Sequence, residues 1–302
     1  HPIRVTCFGG GTGLPTLLAE LKNDPWLAIS AIVTMFDTGG SSGKLRDQFG
    51  ILPPGDILKC LLALSRDERA TRELLLRRIS AHESPQHSAG NLLLLGFEKV
   101  FGDLTTAIKV LGEMLSCDGA VYPVTLEQSV LGATFDDGSR VFGETNVDLA
   151  IYHGKRPRRL FLDPEVRCNE QAARIIGEAD AYCVGPGSFY TSVLPNFLPM
   201  GIRETVSSST APIVFIANLL TEGDGMRDHS AATMTAILEE YLGRTITRIV
   251  VNTSIPEERL DDYARERKYP ISLAGTEQNE RFIRAPLCID SKIARHDGRH
   301  VS

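Results

Sequence analysis

The order of hydrophobic and polar positions in the first forty residues is typical of a β-α-β unit. Apolar runs at residues 3–8 and 29–36 predict two buried strands. Between them, leucines recur at the spacing of one helix face, at Leu14, Leu17, Leu18 and Leu21. Two strands joined through a helix predict parallel pairing in an α/β fold.

Similar patterns extend through the rest of the chain. Helices are predicted at residues 53–65, 67–80, 91–101, 103–115, 230–242 and 256–267. Further strands are predicted at residues 181–184, 212–217, 248–251 and near Ile271. The 91–101 helix is apolar on most faces, which indicates a buried helix, and Asp103 is expected to cap the next one. The polar tail from residue 293 is expected to lie on the surface.

Residues 120–162 interrupt the parallel pattern. Short apolar runs at 121–125 and 131–135 predict strands, and Asp137-Gly138 is a hairpin turn signal. We interpret this segment as an antiparallel insert, packed on the main sheet or forming a dimer surface. The sequence contains no repeat or linker, so residues 1–302 are predicted to form a single α/β domain with a mostly parallel sheet.

Composition excludes several classes of protein. With 42% hydrophobic and 23% charged residues, the chain lacks the character of a disordered protein. The formal net charge of −6 gives no support for nucleic acid as the main partner, and the basic run at 155–159 is expected to be a solvated face. No apolar run approaches the roughly 18 residues that a membrane helix needs.

The six cysteines are scattered and contain no C-x-x-C pair. This usage predicts neither a disulfide framework nor a zinc site, and it fits a reducing compartment. The N-terminal residues enter a strand pattern directly, without the features of a signal peptide. We therefore expect a cytoplasmic protein without flavin, haem or zinc.

A glycine-rich segment, Gly9-Gly10-Gly11-Thr12-Gly13, follows the first strand and is named the first glycine loop. Glycine permits close approach to the backbone, and the N–H groups at a helix start attract anions. The loop therefore predicts a phosphate site, with a tight structural turn as the alternative. Its spacing matches neither the G-x-G-x-x-G dinucleotide fingerprint nor the G-K-[ST] ending of a triphosphate loop.

Two more loops of this kind follow predicted strands. The second glycine loop is Asp37-Thr38-Gly39-Gly40-Ser41-Ser42-Gly43, and the third is Gly185-Pro186-Gly187-Ser188. Asp37 is a candidate for a ribose hydroxyl, with a bond to its own turn as the alternative. Asn218 ends a fourth strand and offers both donor and acceptor groups. Because ligands bind at the carboxyl ends of such strands, we expect all four ends to converge on a diphosphate.

Three further side chains are open to two interpretations. Asn91 is either an N-cap or a ligand contact, and His87 is either a surface histidine or a ligand contact. Asp56 either caps its helix or, with Asp37, holds Mg²⁺ beside the diphosphate. No Ser-His-Asp, Cys-His or zinc-type spacing is present, so the catalytic residues stay unassigned beyond Asp37 and Asp56 as candidates.

Six ordered motifs together resemble the YvcK-like (gluconeogenesis factor) branch of the CofD-like family. They are Gly9-Gly10-Gly11-Thr12-Gly13-Leu14, Asp37-Thr38-Gly39-Gly40-Ser41-Ser42-Gly43-Lys44-Leu45-Arg46, Pro53-Pro54-Gly55-Asp56-Ile57, His87-Ser88-Ala89-Gly90-Asn91-Leu92, Gly143-Glu144-Thr145-Asn146 and Gly185-Pro186-Gly187-Ser188-Phe189-Tyr190-Thr191-Ser192. Weaker matches continue through Asn218 to Asp297, so the resemblance covers nearly the whole chain. It departs from the family pattern at Thr38, where a second acid is usual, at Leu58-Lys59, and at His229, where the branch carries a tyrosine.

The resemblance implies a Rossmann-like three-layer α/β/α sandwich. It also implies binding of a UDP-sugar such as UDP-N-acetylglucosamine, with an influence on carbon use and cell shape in bacteria. The CofD branch implies instead a Mg²⁺-dependent transferase that moves a phospholactate-type group from a nucleotide diphosphate. The expected ligand-binding residues are Gly9, Gly10, Gly11, Thr12, Gly13, Asp37, Thr38, Gly39, Gly40, Ser41, Ser42, Lys44, His87, Asn91, Gly185, Gly187, Ser188, Asn218 and His229.

Three hypotheses for the function follow. The first is a nucleotide-sugar sensor without catalysis, and the second is the transferase, with Mg²⁺ on Asp37 and Asp56. The third is a nicotinamide oxidoreductase, which only Asp37 favours and which the missing G-x-G-x-x-G opposes. We expect a homo-oligomer, a dimer being the simplest form.

Overall fold

The fold is described from a computed structural model, whose described residues are 1–39, 43, 50–66, 70–79 and 87–288. Four predicted site residues lie outside the described residues: Gly40, Ser41, Ser42 and Lys44. The predicted polar tail from residue 293 lies outside them as well.

Twelve strands and ten α-helices are formed by the described residues. The strands are β1 (Ile3–Gly9), β2 (Leu27–Val33), β3 (Arg78–Ile79), β4 (His87–Ser88), β5 (Ala120–Pro123), β6 (Val130–Phe135), β7 (Arg140–Phe142), β8 (Pro157–Asp163), β9 (Ala181–Val184), β10 (Ile213–Ile216), β11 (Arg248–Asn252) and β12 (Phe282–Ala285). The helices are α1 (Gly13–Leu21), α2 (Gly55–Leu64), α3 (Ala70–Leu76), α4 (Ala89–Phe101), α5 (Leu104–Met114), α6 (Glu144–Tyr152), α7 (Glu170–Gly177), α8 (Ile202–Ser208), α9 (Ala231–Leu242) and α10 (Leu260–Arg265).

The main sheet has seven strands in the order β12-β11-β10-β9-β1-β2-β5, and every neighbouring pair is parallel. From β1 the chain builds outwards through β2 to β5. It then returns to place β9 on the other side of β1 and continues outwards to β12. The strand order therefore reverses between β1 and β9, which is where open α/β sheets form their ligand crevice. The predicted α/β fold with a mostly parallel sheet is confirmed.

The core forms where the hydrophobic pattern predicts it. The four leucines of the α1 face are at most 9% exposed, and the second half of β1 is buried. The Phe8 ring lies between Tyr182 and Phe197, with ring centroids 6.0 and 5.0 Å away. Each such buried side chain contributes about 1.5–3 kcal/mol relative to exposure, so this packing holds the sheet that carries the glycine loops.

The antiparallel part is smaller than the predicted insert. β5 pairs in parallel with β2, so the beginning of the 120–162 segment belongs to the main sheet. The separate antiparallel sheet has the order β7-β6-β8, and its first hairpin turns at Asp137-Gly138 as predicted, with Gly138 at a φ of 81°. The predicted start of the insert, at residue 120, is too early. The reason is that β5 is an edge strand whose alternating burial resembles that of an antiparallel strand.

Two predicted helices differ from the structure. α4 was expected to be buried, but Gly90, Asn91 and Leu94 are its only buried residues, and Val100 is 76% exposed. An apolar sequence alone does not show which faces find a partner. The predicted 67–80 helix contains α3 but ends at Leu76, after which β3 pairs antiparallel with β4.

Two strand predictions also need correction. β2 ends at Val33, and Thr34, Met35 and Phe36 continue as buried chain outside the strand, a distinction that hydrophobicity does not make. Ile271 lies between two isolated bridges instead of in a strand, and the last strand is β12. β12 was not predicted, because its residues lie at the edge of the sheet, are only partly buried, and so lack the apolar pattern of a buried strand. Among the described residues, no helix has the length and apolarity required to cross a membrane.

Candidate functional site

The four predicted polar strand ends lie side by side. The first, second and third glycine loops follow β1, β2 and β9, and Asn218 follows β10 by two residues. These four strands are consecutive in the sheet, in the order β10-β9-β1-β2. Because all four are parallel, their carboxyl ends meet at one edge, and the predicted convergence is present in the structure.

The first and third glycine loops touch each other through their backbones. A Cβ atom on Gly13 would lie 2.5 Å from the carbonyl oxygen of Pro186, and one on Gly187 would lie 3.3 Å from the carbonyl oxygen of Gly10. Gly11 has a φ of 64°, in the left-handed region that favours glycine. The contact therefore depends on the absence of side chains, and it brings the start of α1 against the end of β9.

Asp56 links the first glycine loop to α2. Its Oδ2 accepts a hydrogen bond from the Gly11 N–H at 2.6 Å, and its Oδ1 lies 2.8 Å from Nζ of Lys59. Burial lowers the pKa of Lys59, but the attraction of Asp56 outweighs this effect and raises the pKa above its usual value. Asp56 stands in the first turn of α2 without capping it, so the predicted cap is not observed.

The second glycine loop begins with a turn that Asp37 closes on itself. The Oδ1 atom of Asp37 accepts the Gly39 N–H at 2.7 Å, which is the turn role that we gave as its alternative. Thr38 bonds across to α6, where its Oγ1 accepts the Thr145 N–H at 3.0 Å. The second loop is therefore fastened to the N-terminus of α6, at the end of β2.

A cavity of about 630 Å³ opens beside the first and third loops. The predicted residues that line it are Thr12, Gly13, Gly187, Ser188 and Asn218. Charged residues on its wall are Glu20, Lys59, Arg72, Glu222, Glu266 and Lys268. Among the described residues, Asp37, Thr38, Gly39, His87, Asn91 and His229 do not line this cavity, so the structure brings together one group of the predicted residues and leaves another group outside.

His87 and Asn91 occupy the entrance of α4. His87 is only 8% exposed and belongs to β4, so the surface interpretation is wrong. The N-cap of α4 is Ser88, whose Oγ accepts the Asn91 N–H at 3.3 Å, so Asn91 is not the cap. A ligand contact for either side chain stays a prediction.

His229 makes a specific contact with the segment after the third loop. Its Nε2 lies 2.8 Å from the hydroxyl of Tyr190, which belongs to one turn of π-helix at Phe189–Val193. Burial lowers the pKa of His229, which favours the neutral imidazole. Contact of His229 with a ligand stays a prediction.

Glu222 is a site residue that the sequence analysis missed. It lines the cavity, and its carboxylate oxygens accept the Phe189 N–H at 3.0 Å and Nδ2 of Asn218 at 3.2 Å. Burial, followed by the negative charge of Asp148, raises its pKa to about 8. Its position four residues after Asn218 is the sequence signal that could have found it, since the pattern of glycine loops and strand ends does not include this residue.

Two more carboxyl groups with raised pKa values lie one turn apart on α6. Burial is the main cause for Glu144, whose pKa rises to about 7 with a further contribution from Asp148 and Asp37. Burial likewise raises the pKa of Asp148 to about 6. This edge of the sheet therefore holds carboxyl groups whose pKa values are raised by burial.

The predicted Mg²⁺ site on Asp37 and Asp56 offers few carboxylate oxygens to a metal, because most of them already accept hydrogen bonds. Both oxygens of Asp56 are hydrogen-bonded, one of them to a lysine, and one oxygen of Asp37 is used by Gly39. The described part of the chain contains no group of three or more His, Cys, Asp or Glu side chains placed to hold a metal. A cation here would take most of its ligands from a diphosphate and water, and it stays a prediction.

Known proteins are similar to this chain along most of its length. A family model described as 2-phospho-L-lactate transferase CofD matches residues 5–287. A putative gluconeogenesis factor of Thermotoga maritima is 36% identical over 289 residues, 95% of this chain and 91% of the relative. The gluconeogenesis factor of Bacillus subtilis is 38% identical over 272 residues, 89% of this chain and 84% of the relative. A crystal structure of a Bacillus halodurans protein aligns at a TM-score of 0.92 and 34% identity, over 99% of this chain and 97% of that one.

These similarities extend from β1 to β12 and include all three glycine loops. The shared region contains the whole main sheet and the loops that follow its strands, so it covers the candidate site as well as the fold. The chain therefore belongs to the CofD family, within the YvcK-like branch whose members are called gluconeogenesis factors.

Proposed function

We propose that this protein binds a nucleotide sugar of the UDP-N-acetylglucosamine type in the bacterial cytoplasm. In this role it acts as a sensor that adjusts carbon metabolism and cell-envelope growth, and so cell shape. The observation that carries the proposal is the contact of the first and third glycine loops where the strand order reverses, beside a cavity of about 630 Å³. The names of the relatives support the link to carbon metabolism.

The chemistry of the cavity wall supports a diphosphate. α1 begins at Gly13, and Thr12 and Gly13 line the cavity, so the start of this helix lies at the cavity wall, and helix starts attract phosphate. Lys59 and Arg72 add positive charge from α2 and α3, on the same wall as the first loop. Apolar and polar side chains that follow Asn218 in the chain continue the cavity wall, and the space beside them accommodates the nucleoside or the sugar.

The experiment is a thermal-shift panel with UDP-N-acetylglucosamine, UDP, GDP and NAD, with and without Mg²⁺. A ligand at a hundred times its Kd stabilises the native state by about 2.7 kcal/mol. At about 2.1 cal/mol/K per residue, a chain of 302 residues then gains about 4 °C in Tm. The proposal fails if no UDP- or GDP-linked compound raises Tm at millimolar concentration.

A matched pair of variants ties binding to this cavity. Lys59→Gln removes one of the three cations on the cavity wall and is expected to weaken ligand binding by at least about tenfold, since a charge-assisted hydrogen bond contributes about 1.5–3 kcal/mol. Lys109→Gln removes a lysine that is 77% exposed on α5, and it should leave binding unchanged. Equal losses in both variants would show that net charge, and not this cavity, governs binding.

A second candidate function is favoured by the description of the matching family model, a transferase of 2-phospho-L-lactate. Here Asp37 and Asp56 would hold Mg²⁺ at the diphosphate of the donor, and the metal would neutralise its charge during transfer. Incubation with a guanosine diphosphate-linked donor, Mg²⁺ and a deazaflavin alcohol tests this. Product that disappears on chelation of Mg²⁺ would support it, whereas ligand binding without any product would support the sensor.

A further inference from the structure

Glu222 joins the ends of two neighbouring strands through one carboxyl group. Oε2 accepts the Phe189 N–H at 3.0 Å, directly after the third glycine loop, and Oε1 accepts Nδ2 of Asn218 at 3.2 Å, after β10. Nδ2 of Asn218 also donates to the carbonyl oxygen of Gly187 at 2.9 Å. Glu222, Asn218, Gly187 and Phe189 therefore form a closed connection between the third loop and the end of β10.

This connection lies in the wall of the cavity, where an ionised carboxylate would oppose an anionic ligand. Glu222, Gly187, Ser188 and Asn218 all line the same space. Two negative charges at short range repel each other most strongly where the surroundings exclude water. A neutral carboxyl group avoids this repulsion: its carbonyl oxygen accepts one of the two hydrogen bonds, its hydroxyl oxygen accepts the other, and its O–H adds a donor.

The groups around Glu222 act on its pKa in both directions, and burial, which favours the protonated form, has the largest effect. Burial and Asp148 on α6 raise its pKa to about 8, the Phe189 N–H and Ser188 act in the opposite direction, and Lys268 after α10 attracts the ionised form. The pKa of the Tyr190 hydroxyl is also raised, mainly by burial and in part by the negative charge of Glu222 in its ionised form. Further charges on the cavity wall are Glu20, Lys59, Arg72 and Glu266.

We propose that Glu222 is a positioning residue that holds the third glycine loop and Asn218 in the ligand-binding arrangement, and that the cavity accepts a diphosphate diester only while this carboxyl group is uncharged. The inference rests on the proposed function, because it concerns the same cavity and the same class of ligand. It adds that binding weakens with alkaline pH and that a neutral isostere removes this dependence.

The experiment is calorimetric titration of UDP-N-acetylglucosamine between pH 7 and 9 into the unmodified protein, Glu222→Gln and Glu222→Ala. The probe is a diester, so it lacks the phosphate monoester that titrates near 6. For the unmodified protein, Kd should rise about tenfold from pH 7 to 9, because the uncharged fraction of a group with a pKa of about 8 falls from about 0.9 to about 0.1 over this range. Glu222→Gln keeps an oxygen for the Phe189 N–H but presents an NH2 group to Nδ2 of Asn218, so it should bind at pH 7 more weakly than the unmodified protein and lose the pH dependence.

Glu222→Ala separates positioning from charge. It removes the acceptor of the Phe189 N–H together with the charge, so it should bind weakly at every pH. If Glu222→Gln keeps the pH dependence, or if the unmodified protein shows none, the inference is overturned. If no binding is seen at any pH in the unmodified protein, the proposed function fails instead.

A measurement on the unmodified protein keeps the test valid if a variant does not fold. Titration at pH 8 in two buffers of different ionisation enthalpy reports the protons taken up on binding. Since about half of Glu222 is ionised at its pKa, the uptake should approach about half a proton per ligand, and it should vanish at pH 6.5. Absence of uptake at pH 8 would overturn the inference.

Discussion

Replacing Gly13 with alanine places a methyl group against the third glycine loop. The new Cβ would lie 2.5 Å from the carbonyl oxygen of Pro186, 2.6 Å from its carbonyl carbon and 2.7 Å from the nitrogen of Gly187. Carbon contacts are optimal at about 3.5–4.0 Å, so the two loops must separate by roughly 1 Å. All three neighbours are backbone atoms and have no side-chain rotation with which to escape.

The expected cost follows from this overlap. Overpacking of this kind destabilises by about 1–3 kcal/mol. Because Gly13 begins α1, the alanine also gains up to about 1 kcal/mol in helix propensity, which hides part of the cost. Gly96→Ala is the matched control, since this exposed glycine lies inside α4 and no described atom is within 4 Å of its Cβ. The difference between the two variants isolates the steric cost.

The assay is thermal unfolding of both variants beside the unmodified protein. At about 2.1 cal/mol/K per residue, a steric cost of about 1–3 kcal/mol places Tm of Gly13→Ala about 2–5 °C below that of Gly96→Ala. Stabilisation by UDP-N-acetylglucosamine should also be smaller in Gly13→Ala and unchanged in Gly96→Ala. A Gly13→Ala protein as stable as Gly96→Ala would refute the contact between the two loops.

Two further predictions concern single side chains. The pKa of Glu144 rises from 4.5 to about 7 in the folded state, so ionisation of this group destabilises the fold as pH rises through this window. The free energy of unfolding of Glu144→Gln should therefore be higher than that of the unmodified protein above pH 7, by up to about 3 kcal/mol, and equal to it at pH 4. Melting curves at pH 4–8 test this against the control Glu113→Gln, whose carboxylate is 68% exposed, and equal curves for both would contradict it. Asp103→Ala removes the cap on the Thr106 N–H at 2.8 Å and should cost about 1 kcal/mol by chemical denaturation. Asp103→Asn should retain most of that stability, and an equal loss in both variants would disprove the capping role.

The sequence by itself determined the local parts of the site. Glycines after a β-branched run, followed by leucines at helical spacing, specify a strand, a tight turn and a helix start, because these patterns depend on neighbouring residues alone. The first and third glycine loops, Asn218 and the cap at Asp103 were predicted in this way. The expected meeting of the strand ends followed from parallel pairing, which the β-α-β pattern already indicates.

Only the tertiary structure decided which strands are neighbours and which side chains they enclose. The placement of β9 beside β1 joins residues that lie almost 180 positions apart, and no local pattern carries that information. The same holds for β5 in the main sheet, for the burial of His87 and for Glu222 beneath the third loop. The pKa of Glu222 depends on burial and on Asp148, which is distant in sequence, so the chemistry of the cavity wall exists only once the chain has folded.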